Sequence, residues 1–416
     1  MIELLSEKRI RELVRRYGSF YIYDREIIDQ YTDQLQNDFA GIHFLYSLKA
    51  NHNPDVVGFI LSKGFGADAA SLNEVRMGAA NGFGQDEIYY SAPGKTDEDI
   101  RGAIRNAVLI ADSLDEVERI NRIAGEEGLS VPIGVRINPD FSFHGSGGRP
   151  SKFGIDTVQA LNAVSAWRTY ANIRVTGIHV HLQSQELDAA ILAEYYRRMF
   201  LLADCFQAAL GRELDFINMG AGMGIQYSGR DTVLDTGRLG EAVREMLASF
   251  RVKFRKTKVL IETGRYAVGK AGFYVTHVLD KKTSYGKTFV ILANTLNGFL
   301  RPSIARLVAR YAGNDVPAGS EPLFTSLDAF EIASFRPEWE RTEMVTLVGN
   351  LCTASDMIAE DIILPVLKQG DPLIISNAGS YGAVLSPMQF SSQRSPAELF
   401  LDEAGRIYES GKLLEI

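Results

Sequence analysis

A handful of residues combine reactive side chains with positions at the ends of short apolar runs. They are Lys49 in YSLKAN, Asp68 in GADA, Arg136 in GVRIN, His181 in HVHL, Glu262 in IETGR, and the glycines of GAGMG, with Gly220 and Gly222 among them. A lysine amine drawn out of water loses pKa and can attack a carbonyl carbon. A glycine run lets backbone N–H groups approach a phosphate, and Arg265, three residues after Glu262, could add a bidentate contact. His179 and His181 are two apart on one run and so share a face. Taken singly, each residue has a plainer reading: a solvated lysine, a tight turn, a core histidine, a Glu262–Arg265 ion pair. Their joint placement carries the information.

The elements that must position them alternate. Between residues 25 and 265, β-rich runs at 43–48, 65–69, 88–91, 108–111, 132–137, 175–182, 215–219 and 259–262 are separated by helical stretches such as 54–63, 114–127 and 187–210. Eight βα units predict a closed (β/α)8 TIM barrel, with an open doubly wound sheet as the alternative, and a barrel gathers its chemistry at the C-terminal ends of its strands. That rim holds Lys49, Asp68, Arg136, His181, the 220–224 run and Glu262. After Arg265 the pattern becomes strand and turn, which predicts a second, β-rich domain over 266–416 with residues 1–24 packed on it. The glycine-rich 143–154 reads as a loop following the fifth strand.

On one rim these residue types suit pyridoxal 5'-phosphate. Lys49 would bond to its aldehyde carbon, the 220–224 loop and Arg265 would take the phosphate, and His181 would stack on the ring. Glu262 against the pyridine nitrogen would keep it protonated, which makes the ring an electron sink. The 416 residues are 46% hydrophobic with a net charge of −8, a balance that argues against nucleic-acid or anionic-membrane partners. No segment reads as a signal peptide or membrane span. Two distant cysteines, Cys205 and Cys352, suggest neither a disulfide framework nor a metal site, and the expected location is cytoplasmic.

The motifs IHFLYSLKAN, GIHVHLQSQ, INMGAGMG, ETGRY, GNLCTASD and NAGSYG, in this order, resemble the fold-type III pyridoxal-phosphate decarboxylases, the diaminopimelate, ornithine and arginine decarboxylase group. The resemblance spans nearly the whole chain. It implies an alanine racemase-like TIM barrel with a C-terminal β-barrel or β-sandwich domain, and removal of an amino acid's α-carboxylate. It further implies Lys49 as the Schiff-base lysine, His181 as the stacking residue, Glu262 on the pyridine nitrogen, and Ser184, Gly222, Arg265 and Tyr381 at or beside the phosphate. It also implies a head-to-tail homodimer in which each β domain completes the other chain's site. Cys352 would be the proton donor, and Thr353, Asp356 and Arg301 would meet the substrate.

Several positions depart from the diaminopimelate decarboxylase pattern. Thr353 stands where an acid usually follows the cysteine, and Ala293 and Ala305 replace an aspartate and a tyrosine around the retained Arg301. In this detail the chain is closer to butirosin-pathway and siderophore-pathway decarboxylases, which implies a conjugated or carrier-bound amino acid as substrate. A diaminopimelate, lysine or ornithine decarboxylase is the alternative. An alanine-racemase-like enzyme, and a barrel that binds the cofactor without turnover, are the readings from other classes.

Overall fold

The computed structural model describes residues 5–312, 326–337 and 341–414. The first described element is the helix Glu7–Tyr17, whose N-cap Ser6 accepts from the Arg9 amide and whose apolar face, Ile10, Leu13, Val14 and Tyr17, is buried at helical spacing. It leads into β1 (Phe20–Asp24), in which all five residues are buried.

Eight strands follow: β2 (His43–Ser47), β3 (Gly66–Ala69), β4 (Ile88–Tyr90), β5 (Val108–Ala111), β6 (Val131–Asn138), β7 (Ile173–His179), β8 (Phe216–Asn218) and β9 (Lys258–Thr263). Each pairs in parallel with the next, and β9 pairs with β2, so the ladder closes. Closure excludes the open doubly wound sheet. The eight apolar runs read from the sequence all fall on barrel strands, although the run at 175–182 leaves the ladder at His179. Helices cover the barrel, among them Pro54–Ser62, Leu114–Glu126 and Ala189–Leu210.

Side chains alternate across a strand, so residues two apart enter the barrel in successive layers. The lower layer is apolar or bare: Leu45, Gly66, Tyr89, Ile110, Gly134, Gly177, Phe216 and Leu260. Leu45, Tyr89, Ile110, Phe216 and Leu260 form one buried cluster. Two of the glycines are sterically required. A Cβ at Gly177 would overlap the Phe216 ring, and one at Gly134 would sit 2.7 Å from it. The ring therefore plugs the barrel floor. Two residues further along the same eight strands the side chains are Ser47, Asp68, Ser91, Asp112, Arg136, His179, Asn218 and Glu262, every one polar and every one buried. Buried polar atoms seek partners, and here Asp68 meets Ser47 and Ser91 while Glu262 meets Asn218.

Outside the barrel the described residues build a mixed sheet of ten strands. The long β10 (Gly272–Ser284) pairs antiparallel with β1, with β11 (Lys287–Leu292) and with β14 (Pro372–Ile375). β12 (Thr342–Gly349) lies parallel to β11 and antiparallel to β13 (Met357–Pro365). β1 is held between β10 and the parallel β15 (Ala397–Leu401), so the N-terminal strand sits inside the sheet made by the last third of the chain. Among the described residues no helix is long and apolar enough to cross a membrane.

Candidate active site

Lys49 sits in a single helical turn, Leu48–Ala50, directly after β2. Its Nζ donates to Asp68 Oδ2 at 2.7 Å, and Asp68, fully buried, also accepts the hydroxyls of Ser47 (2.8 Å) and Ser91 (3.0 Å). Burial favours loss of the lysine's proton, as expected from the sequence. Asp68 and Glu262 outweigh it, so the ammonium is held above the ordinary lysine range. The expectation of a lowered pKa is therefore corrected: a half-buried lysine beside two carboxylates is stabilised in its charged form.

Glu262 lies at the centre of the polar layer. Its Oε1 accepts from Asn218 Nδ2 at 3.0 Å and lies 3.0 Å from His179 Nε2. Burial alone would raise its pKa. His179 and Lys49 overcome that, and the carboxylate is held below its ordinary range, fully ionised. His181, two residues beyond His179, accepts the Ala221 N–H on Nδ1 at 3.0 Å. Nδ1 thus carries no proton, and its 3.7 Å approach to Glu262 Oε2 is a contact of a neutral ring. Burial, with Lys49 and Arg136 nearby, lowers the His181 pKa to about 3 against the pull of Glu262. The site thus places a neutral imidazole and an ionised carboxylate within reach of one lysine.

The glycine loop follows β8. Gly220 has φ +66°, in the left-handed region, and a Cβ there would run into the Val180 carbonyl oxygen. At Gly222 a Cβ would meet Leu192 at 3.0 Å and Phe143 at 3.3 Å. Arg265 opens the short helix Arg265–Val268, is buried, and donates to the Tyr227 phenol at 2.9 Å. The same oxygen accepts from Arg301 Nη1 at 3.1 Å. Tyr227 therefore joins the arginine at the glycine loop to the one on helix Leu300–Ala312. Tyr381, at φ +56°, donates its amide to the Ala50 carbonyl (2.8 Å) and lies with its ring 5.3 Å from the Arg265 guanidinium. The Ser380 hydroxyl beside it is buried without a partner, 3.3 Å from where a Gly269 Cβ would stand. Ser184 is half-buried in the loop after His181. Arg136 is directed to the Ser91 and His181 carbonyls (3.4 Å each) and to Asp112 (3.6 Å), beneath the Phe153 ring.

The residues expected from the second domain are placed differently. Cys352 is exposed on the loop between β12 and β13, with its Sγ 3.9 Å from Ser391 Oγ. Thr353 pairs with Ser355, hydroxyl to hydroxyl, at 2.9 Å. Asp356 is turned inward and accepts donors from its own chain, among them the Leu296 and Leu351 amides. Sequence reasoning missed Ser47, Ser91, Asp112, Asn218 and Tyr227. The first four were within reach: each follows a lower-layer residue by two on its strand, the spacing that links Leu260 to Glu262. Lys95 was also missed. Its Nζ is buried against Glu116 (2.6 Å) and the Ala92 and Ile110 carbonyls (2.7 Å each).

The donor set fits pyridoxal phosphate: an amine at the mouth, an ionised carboxylate below, and a glycine loop, a buried arginine and an unpaired serine hydroxyl at one end. Comparison with known proteins agrees. The family described as pyridoxal-dependent decarboxylase, pyridoxal binding domain, matches residues 25–269. The L-glutamyl-[BtrI acyl-carrier protein] decarboxylase of Niallia circulans is 30% identical over 95% of this chain and 91% of its own length. The diaminopimelate decarboxylase of Aquifex aeolicus is 27% identical over 91% of this chain and 85% of its own. The crystal structure of diaminopimelate decarboxylase from Helicobacter pylori complexed with L-lysine superposes with a TM-score of 0.80 at 27% identity, covering 97% of this chain and 96% of that one. The chain belongs to the pyridoxal-dependent decarboxylases, and its cofactor is pyridoxal 5'-phosphate.

Proposed function

We propose that this decarboxylase removes the α-carboxylate of an amino acid presented as a conjugate or on a carrier, as part of a specialised biosynthesis. The observation that carries the reading is Thr353, a hydroxyl at the position where the resemblance to diaminopimelate decarboxylases implies an acid. A substrate whose far end is tied up in a larger appendage needs no such acid. The likeness to a decarboxylase of an aminoacylated carrier protein supports this.

When bound, pyridoxal phosphate supplies the sink for the electron pair left as the carbon–carboxylate bond breaks. Lys49 would hold its aldehyde carbon. As an ammonium, Lys49 draws an anionic ligand into the mouth, and its Nζ must shed a proton before it can bond to carbon. Asp68 Oδ2, at 2.7 Å, is placed to take that proton. Glu262, kept ionised, would favour a protonated ring nitrogen. His181 would offer its neutral ring as a stacking face. The 220–222 amides, Arg265, Ser184 and Tyr381 would hold the phosphate, while Arg136 and Asp68 brace the mouth. Arg301 would orient the substrate's distal part. In a head-to-tail homodimer, the Cys352 loop of a second copy would bring the thiol that returns a proton to the α-carbon, and residues 1–24 and 266–416 would act as the domain completing that neighbouring site.

The test is a substrate panel. Glutamyl thioesters on pantetheine or on a carrier protein should release CO2, and free diaminopimelate, lysine, ornithine and arginine should be poor substrates. Efficient turnover of any of the four free amino acids would refute the reading. It would favour the free-substrate alternative, for which the retained, fully buried Arg301 is the supporting observation.

A further inference from the structure

We propose that Asp356 is a positioning residue that clamps the turn leading to Arg301 and the loop carrying Cys352 into one unit. The proposal rests on the reading of those two residues as substrate-facing. Asp356 is only 3% exposed. Its Oδ1 accepts the Leu296 amide at 2.9 Å and the Thr295 hydroxyl, and its Oδ2 accepts the Leu351 amide at 3.0 Å. The main chain repeats the tie: the Asp356 carbonyl accepts from Gly349 N–H (2.9 Å), and its own N–H donates to the Thr353 carbonyl (3.3 Å). Gly349 is packed so closely that a Cβ would overlap both the Asp356 carboxylate and the Thr295 hydroxyl.

Each side of the clamp leads to a residue with a proposed role. On one side the Leu351 amide is pinned and its side chain buried, so the next residue, Cys352, is turned outward beside Ser391. On the other, Thr295 accepts the Gly298 and Phe299 amides on its carbonyl, and the fully buried Phe299 leads into helix Leu300–Ala312, whose second residue is Arg301. Three donors converge on Asp356. An ionised carboxylate meets all of them because it offers only acceptors, whereas an amide would turn its NH2 towards at least one. A shift of the Arg301 turn is thereby passed to the thiol loop. The assignment of Asp356 as a direct substrate contact, made from the sequence, is replaced by this one, since both carboxylate oxygens are already occupied by donors of their own chain.

Hydrogen exchange followed by mass spectrometry on the holoenzyme tests the clamp, with product analysis alongside. In Asp356→Asn, peptides covering 293–300 and 347–356 should exchange faster together, by roughly tenfold, the change that loss of one hydrogen bond to a charged acceptor brings. Peptides covering 43–49 should be unaffected. Products should shift towards abortive transamination, as in Cys352→Ala, and Thr295→Val should move both readouts less in the same direction. Faster exchange confined to 347–356 would overturn the proposal, as would wild-type products from Asp356→Asn where Cys352→Ala alters them. If Cys352→Ala itself leaves the products unchanged, the reading of that thiol fails, and the exchange of the two segments alone decides whether Asp356 joins them.

Discussion

The neutral ring of His181 has a consequence for stability. Its folded pKa of about 3 lies below the ordinary 6.5, so between those values the unfolded chain binds a proton that the folded chain refuses. Stability is therefore lost as pH falls through 6.5 towards 3, by about 2 kcal/mol at pH 5 from this group. Denaturation of His181→Gln should lose less between pH 7 and pH 5 than wild type does, and parallel curves would show an ordinary histidine. At Cys352, replacement by alanine should divert turnover towards transamination, measured as pyridoxamine phosphate formed per CO2. The residue types of the rim were legible because Lys49, His181 and Glu262 each end an apolar run. The state of Lys49 was not: burial can be inferred from sequence, but the convergence of Asp68 and Glu262 on one amine comes from three strands. The inward role of Asp356 escaped for a similar reason, since its partners Thr295 and Leu296 are some sixty residues away in the chain.

At the scale of elements, the barrel strands were readable because parallel strands buried on both faces appear as short apolar runs. The parallel pairing of β1 with β15 was not, because nothing local to either strand specifies a partner nearly four hundred residues distant. The loops at the rim depend on features beneath them. Lys95 and Glu116 are both buried, and the lysine also satisfies two carbonyls. Lys95→Met should leave Glu116 buried without its cation and cost about 3–5 kcal/mol in urea unfolding. Gly220→Ala combines a left-handed backbone with a clash against Val180. It should weaken cofactor binding, measured by fluorescence titration, more than Gly222→Ala, whose neighbours are movable side chains. Equal affinities would mean that the glycine loop does not hold its shape through Gly220.

For the whole molecule, barrel and mixed sheet share a chain in which Tyr227 links Arg265 to Arg301 and Asn377 donates to the Tyr227 carbonyl, so the two regions meet around Tyr227. If the active sites are shared between two chains, mixing Lys49→Ala with Cys352→Arg should restore turnover that neither variant shows alone; no recovery would mean that each chain is self-sufficient. Lys49 is the residue on which every scale converges. Borohydride reduction of the holoenzyme followed by peptide mapping tests it most directly: the phosphopyridoxyl label is predicted on Lys49, within YSLKAN, and a label on another lysine, or none, would contradict it.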